Sequence, residues 1–396
     1  MKTPFLHKDS LKTSELRMAI QKKYRVGIIG RTGKGNYGHD VDLAFTKIPQ
    51  VEIVAVSDEN EKGRLEAQKR LNAPRAYGDY TKMLESEKLD IVAVCPRWID
   101  QHQDMILKAA EYGCHIYMEK PFCRTLEECD RAIHEMQMRH LQLGIAHISQ
   151  YSPVLDKIVA LIRGGEIGEL LEIRGRGKED QRGGAEDLWV LGSHIFGMMR
   201  KIASGNPQRC YATVWKAGKP VVSDDVYEGN EGLGLLAGDH IEARYDFASQ
   251  VQGYFASKKG TAGKPTRFAL QIMGSKGIIE IESGYLVPGY ILRDSSWGPG
   301  RTGKSWEIIT SAGIGKEEPR TDGTYQGGHI AAILDLIHCI EHQAQPRCSA
   351  EDGRAIIEMI AAVFESHRVQ GHVDLPLKTR ANPLSLLANA KKSPRG

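Results

Sequence analysis

Several short stretches carry side chains whose type and spacing suit chemistry. In His115–Arg124, HIYMEKPFCR, the triplet Glu119-Lys120-Pro121 follows directly on a four-residue apolar run. An exposed lysine, with a pKa near ~10.4, is a poor proton acceptor at neutral pH. Partly desolvated and placed beside a positive charge, the same amine falls toward a range where it exchanges a proton with a hydroxyl. Pro121 holds the turn that presents it, and a cis bond suits such a turn. On charge alone a Glu–Lys pair is an ordinary solvated loop, so the neighbouring motifs decide.

The glycine-rich run Gly30–Asp40, GRTGKGNYGHD, lies between an apolar run and an amphipathic one. Gly33, Gly35 and Gly38 fit GxGxxG, with Gly30 at the edge of the preceding strand. Backbone without Cβ atoms can approach a pyrophosphate, and the following helix offers free N–H groups and a positive dipole end. Asp58 closes the next apolar run, where a carboxylate accepts from ribose hydroxyls or caps a helix. Glu59 follows it and no arginine adjoins it, so a 2′-phosphate is repelled and NAD is expected over NADP. Cys95-Pro96-Arg97-Trp98 ends a third apolar run. Pro96 stops the strand beside the cofactor site, and Arg97 or Trp98 is the candidate to face the cofactor, since parallel sheets bind ligands at their strands' carboxyl ends. With a dinucleotide in place, Glu119 is read as orienting Lys120 or the nicotinamide ribose.

These motifs need elements to hold them. Tyr24–Ile29, Val51–Val56, Leu89–Cys95, His115–Met118 and Leu141–Ile148 read as strands. Gln103–Tyr112 and Leu126–His140 between them read as helices, the second opened by a Thr125–Glu128 capping box. Strands alternating with helices predict a doubly wound parallel sheet, a Rossmann domain over 24–149. Pro153 then starts a helix that Gly164-Gly165 ends. From Leu170 to about Thr310, short alternating runs with Gly, Asp and Ser turns predict an open, mostly antiparallel sheet. One helix, Trp189–Ala203, interrupts it, and helices near 329–342 and 351–369 close the chain. The second, α+β domain therefore runs over 150–380, between an N-terminal arm (1–23) and a tail (381–396) whose last residues, 390–396, read as disordered.

Length and composition agree with two cores. At 396 residues the chain exceeds one domain, and 41% hydrophobic with 26% charged content is globular. A net charge of +3 with both signs interspersed predicts no nucleic-acid or membrane partner. The first 23 residues are charged throughout, unlike a secretory signal, and the seven cysteines form no CxxC pair. A soluble, cytoplasmic protein is expected, and nothing suggests a metal.

Taken in order, GIIGRTGKGNYGHD, VSD at 56–58, CP at 95–96 and EKP at 119–121 resemble the glucose–fructose oxidoreductase/inositol dehydrogenase (Gfo/Idh/MocA) family. IGEL at 167–170, GSH at 192–194, GSKG at 274–277 and the closing EDGRAIIEMI…LPL fall in the same order, so the resemblance spans nearly the whole chain from residue 24. It implies NAD(P)-linked oxidation or reduction of sugars and cyclitols, and an open sheet that builds a homo-oligomer. It also makes Lys120 the catalytic lysine, Asp58 the adenosine-ribose ligand and His194 a second catalytic residue. Three departures stand out. The glycine loop is longer than the family's, Gln150-Tyr151 replaces an arginine, and Val190 stands where relatives carry Asp four residues before the histidine. Glu186 and Asp187 are the nearest carboxylates, and Asp187 is taken as the third catalytic candidate. Three functions compete: a dehydrogenase or reductase, an enzyme cleaving glycosides by transient sugar oxidation with NAD retained, and a non-catalytic sugar or NAD sensor.

Overall fold

The computed structural model describes residues 23–248 and 250–389. All but Lys23 of the expected arm, and the tail beyond 389, lie outside the described residues. The first domain is a six-stranded parallel sheet in the order β3-β2-β1-β4-β5-β6. Its strands are β1 (Tyr24–Ile29), β2 (Val51–Ser57), β3 (Arg75–Tyr77), β4 (Ile91–Val94), β5 (His115–Met118) and β6 (Leu143–Ile145). The central strands are covered on both faces: Val26, Ile28 and Ile29 of β1 and all four residues of β4 are buried. That explains their continuous rather than alternating apolar character. Each such side chain contributes about 1.5–3 kcal/mol on burial, an upper figure because the unfolded chain already hides some surface. The helices are α1 (Val41–Phe45), α2 (Glu61–Leu71), α3 (Tyr80–Ser86), α4 (His102–Glu111) and α5 (Leu126–Met138). Thr125 caps α5 by accepting from the Glu128 N–H at 3.1 Å, as its sequence predicts. The Glu128 carboxylate, however, reaches back one residue further, to the Arg124 N–H at 2.8 Å.

The order reverses at β1 and β4, so the crevice beyond their carboxyl ends is where such a sheet takes a ligand. The glycine loop, Asp58, Pro96 and Lys120 all stand at that edge, each just past the end of a strand.

After α6 (Pro153–Arg163), whose N-cap Ser152 accepts from the Leu155 N–H, the chain builds an eleven-stranded sheet. All its pairings are antiparallel except 170–176 with 252–258. The ten-residue strand Pro207–Lys216 is its longest. Burial alternates along it and along its neighbour His240–Phe247, so one face is packed and the other open. The expected helix 189–203 is two: α7 (Ala185–Val190) and α8 (Gly192–Ala203), broken at Leu191, whose φ of −120° leaves the helical range. Leu141–Ile148 is a strand only over 143–145 and then turns into a short 3₁₀ segment, 148–151. α9 (Tyr325–His342) and α10 (Ala350–Val369) follow the sheet, and 383–389 of the expected tail forms a further helix with Leu384 buried. α10 packs on the strand Pro207–Lys216, where Ser366 Oγ accepts from the Ala212 N–H at 2.8 Å. α9 returns to the first domain. His329 on it accepts from the Tyr117 hydroxyl at the end of β5.

Candidate active site

The glycine loop folds back on itself. Arg31 and Asn36 exchange two backbone hydrogen bonds, at 3.0 and 2.9 Å, which absorbs the extra length as a tight turn. Gly33, at its tip, has φ +86° and open space where a Cβ would be. Gly35 and Gly38 are required for close approach. A Cβ at Gly35 would lie 2.4 Å from the Arg97 amide nitrogen, and one at Gly38 would lie 2.7 Å from the Glu119 side chain. Gly30 likewise gives its space to the Tyr37 ring.

Asp58 is buried and accepts from the Thr32 N–H and hydroxyl and from the Asn60 N–H. Of roughly four acceptor positions on a carboxylate, about one stays open for a ribose hydroxyl. The amides of Gly35 and Tyr37 take no part in the loop's own hydrogen bonding, and Lys34 and Arg97 put positive charge beside them. That donor set suits a pyrophosphate, so the residues present fit a dinucleotide. One premise of the sequence reading changes in space. Arg64, one turn into α2, donates to the Asp58 carbonyl at 2.8 Å, so an arginine does stand near this carboxylate.

Glu119 is enclosed at the end of the glycine loop. It is 1% exposed, with Oε1 accepting from both the N–H and Nδ1 of His39 (2.9 and 2.7 Å) and Oε2 from the Lys120 N–H (2.9 Å). Burial pushes its carboxyl up, but the His39 hydrogen bonds and the Lys120 charge outweigh this and hold it below the usual carboxylate range. Enclosed in this way, Glu119 ties the end of the glycine loop to the lysine turn.

His39 is one of two residues the sequence reading left without a role. Its carbonyl accepts from His329 Nε2–H at 2.8 Å, so His329 Nδ1 must accept from Tyr117 at 2.7 Å. The other is His102, fully buried, whose ring nitrogens meet the carbonyls of Pro96 and Pro121, both at 2.8 Å. It pins the two strand-end loops together. Nothing in the spacing of either histidine marks it, because the ring of His39 meets a carboxylate eighty residues away and that of His102 meets main-chain carbonyls.

Lys120, 8% exposed, precedes a cis bond to Pro121 and donates from Nζ to the Val190 main-chain oxygen at 3.1 Å. The break at Leu191 makes that oxygen available. The His194 N–H bonds the Leu191 carbonyl instead of the one a continuous helix would use, four residues back at Val190. Burial lowers the Lys120 pKa, with Glu119 and Glu231 opposing and Arg97 and Arg182 adding to the fall.

His194 lies in the first turn of α8, its ring 5.2 Å from that of His147 and edge-on to it. Burial, then the Lys120 charge, drives both histidines down, His147 to about 3. Both are therefore neutral at pH 7, and the Nδ1 atoms of both are buried without a partner. In the same two segments the Ser149 and Ser193 hydroxyls and the Trp189 indole N–H are likewise unpartnered. Asp187 is not brought to this group. Its carboxylate accepts from Ser257 Oγ (2.6 Å) and from the Lys178 and Glu179 amides (3.2 and 3.0 Å), which makes it a buried brace for the 178–179 turn. Among the described residues no cluster of metal ligands occurs, and no helix is long and apolar enough to cross a membrane.

Comparison with known proteins agrees with this two-domain fold. Residues 24–147 match the oxidoreductase family with a NAD-binding Rossmann fold, and residues 159–375 match that family's C-terminal α/β domain. A myo-inositol 2-dehydrogenase of Thermotoga maritima is 24% identical over 263 residues, 64% of this chain and 74% of that protein. An α-N-acetylgalactosaminidase of Bacteroides fragilis is 26% identical over 158 residues, 38% of this chain and 37% of that protein. Two uncharacterized oxidoreductases match over only about half of their own length, 51% and 56%. The fold of a levoglucosan dehydrogenase, solved in complex with NADH and levoglucosan, superposes with a TM-score of 0.71 at 19% identity, covering 90% of this chain and 100% of that one.

Proposed function

Because this chain belongs to the Gfo/Idh/MocA oxidoreductase family, with a NAD-binding Rossmann domain at its start, we propose that it is a NAD-dependent oxidoreductase. Its substrate would be a secondary alcohol or ketone of a sugar, sugar derivative or cyclitol. The observation that carries this reading is the group of unpartnered polar atoms in two short segments, 147–149 and 189–194, the second of which touches Lys120 through Val190. Buried donors and acceptors left unpaired cost about 1–3 kcal/mol each, so their concentration in these two segments points to a polyhydroxylated ligand.

Lys120, its pKa lowered by burial, takes the proton of the reacting hydroxyl, and the Val190 oxygen aims the amine. His194, neutral and with an open Nδ1, accepts from or donates to the same oxygen. Asp58, the Gly35 and Tyr37 amides, Lys34 and Arg97 hold the dinucleotide. When bound, NAD supplies a hydride acceptor at the nicotinamide ring. Glu119, His39 and His102 keep the two strand-end loops in register. The test is the reduced-nicotinamide absorbance band during incubation with a panel of polyols and sugars. A rise that requires Lys120 is expected, and no rise with any of them, together with no binding of NAD by calorimetry, would sink the reading.

A second reading, cleavage of a glycoside with the cofactor returned to its starting state, is supported by the match to the B. fragilis glycosidase. Product release from an aryl glycoside without net change in the nicotinamide band would favour it. The seven free cysteines support a reducing, cytoplasmic setting.

The open sheet face supports a homo-oligomer. Tyr211, Trp215, Tyr254 and Tyr290 line a trough of about 880 Å³ there. Arg174 and Arg244 share that trough with Glu242 and Glu280, so a two-fold copy can set guanidinium against carboxylate. Sedimentation of the purified protein as a monomer would refute this.

A further inference from the structure

A smaller cavity, of about 430 Å³, opens between α6, α8 and the turn before α10, and no residue of the proposed catalytic set lines it. Three cations border it, Arg200, Lys201 and Arg347, against two carboxylates, Asp156 and Asp352. The carboxylates are already engaged. Asp156 takes Lys201 Nζ at 2.6 Å and Arg347 Nη1 at 2.9 Å, while Asp352 takes Arg200 Nη2 at 2.9 Å and the Ser349 N–H and hydroxyl at 3.1 Å. Donors remain unused. Arg200 directs Nε to Asn206 and keeps Nη1, Arg347 keeps Nε and Nη2, and Lys201 keeps one of its three after bonding the Gln150 carbonyl.

Gln150 supplies an independent sign. It is 8% exposed, and its Nε2 has no partner. That amide packs over Gly197, where a Cβ would come within 2.4 Å of it, and both residues line the cavity. A cavity with surplus donors, carboxylates already turned to its own cations and a net charge of +1 suits a ligand richer in acceptors than in donors.

We propose that this cavity binds a tetrahedral oxyanion, either free phosphate or the terminal phosphate of a small metabolite. Gln150 lies three residues beyond His147, and Gly197, Arg200 and Lys201 lie on the helix that carries His194. A bound anion therefore joins the two segments that hold the histidine pair, and its occupancy sets their spacing. Burial of Lys201, which lowers its pKa, is relieved by the same anion.

The test titrates inorganic phosphate and, separately, glucose 6-phosphate into the full chain at saturating NAD, which keeps phosphate off the glycine loop. Ionic strength is held constant with chloride, and thermal midpoint and calorimetry are the readouts. Saturable stabilisation beyond chloride is expected, with the sugar phosphate tighter if the natural source is a metabolite and equal if it is the free ion. Arg347→Gln, on an exposed side chain, should weaken binding about tenfold or more. Gln150→Glu, which places an acceptor inside the cavity, should raise the thermal midpoint without phosphate and abolish the response to it. No saturable response in the parent protein, or one unchanged in both variants, overturns the proposal.

Discussion

Lys120 Nζ is bonded to the main-chain oxygen of Val190, 3.1 Å away, across the boundary between the two domains. A carbonyl orients an ammonium but stabilises its charge less than a carboxylate does. Val190→Asp puts a carboxylate on the residue whose carbonyl holds Nζ, and a negative charge brought within its reach raises the lysine pKa. The ascending limb of the pH–rate profile for alcohol oxidation should move to higher pH, at a cost in stability because position 190 is buried. A limb that stays in place would show that Lys120 is not the group titrating in the reaction.

Removing the amine tests the same assignment from the other side. Lys120→Met retains the buried stem and should lower turnover by about 10²–10⁴-fold, the range for loss of a positioned proton acceptor. NAD affinity should change far less, since Glu119 and the glycine loop keep their own contacts. In the parent protein, burial places the Lys120 pKa below its ordinary value. Alcohol oxidation should accordingly rise with pH and level off before the ~10.4 of a free lysine. A rate still climbing past that point contradicts the shift.

The glycines of the loop differ in what they do, and two substitutions separate them. Gly33→Ala meets nothing within 4 Å and suffers only the strain of φ +86°, roughly 1–2 kcal/mol. Gly38→Ala carries similar strain at φ +71° and also drives a Cβ into Glu119 and the Cys95 carbonyl, at 2.7 and 2.8 Å. The first should cost modest stability and leave NAD binding near normal. The second should displace Glu119 from His39 and abolish measurable NAD binding by calorimetry. Equal losses of affinity in the two would mean that the loop acts as a whole rather than through Gly38.

Much of this site was legible in sequence because strand-end positions and glycines follow from local pattern. The four buried residues of β4, the glycine loop and the EKP turn all stand where their apolar runs place them. What escaped depends on contacts between distant main-chain atoms. Val190 reads as the loss of an acid, and only the helix break at Leu191 shows that its carbonyl meets the lysine. Asp187 reads as the replacement acid, yet Ser257, seventy residues later, claims it. The strand Pro207–Lys216 carries a weaker apolar signal than its neighbours, with Gln208, Arg209 and Tyr211 exposed and the small Cys210, Ala212 and Val214 among its buried positions. Arg64 near Asp58 depends on one turn of α2, which adjacency in sequence does not reveal.

The histidine pair sets how stability depends on pH. Burial holds His147 at about 3, against an ordinary value near ~6.5. Between those two values the unfolded chain binds a proton at this site and the folded chain does not. Stability therefore rises with pH across the window and is lost as pH falls from about 6.5 toward 3. His194, depressed for the same reasons, adds to the slope in the same direction. His147→Gln removes one titrating group and lightens the positive field on His194, so its thermal midpoint should fall less steeply between pH 6.5 and 4 than that of the parent. Identical slopes in the two proteins would mean that the ring at position 147 protonates in the folded state as freely as in the unfolded one, and that it is not enclosed beside Lys120.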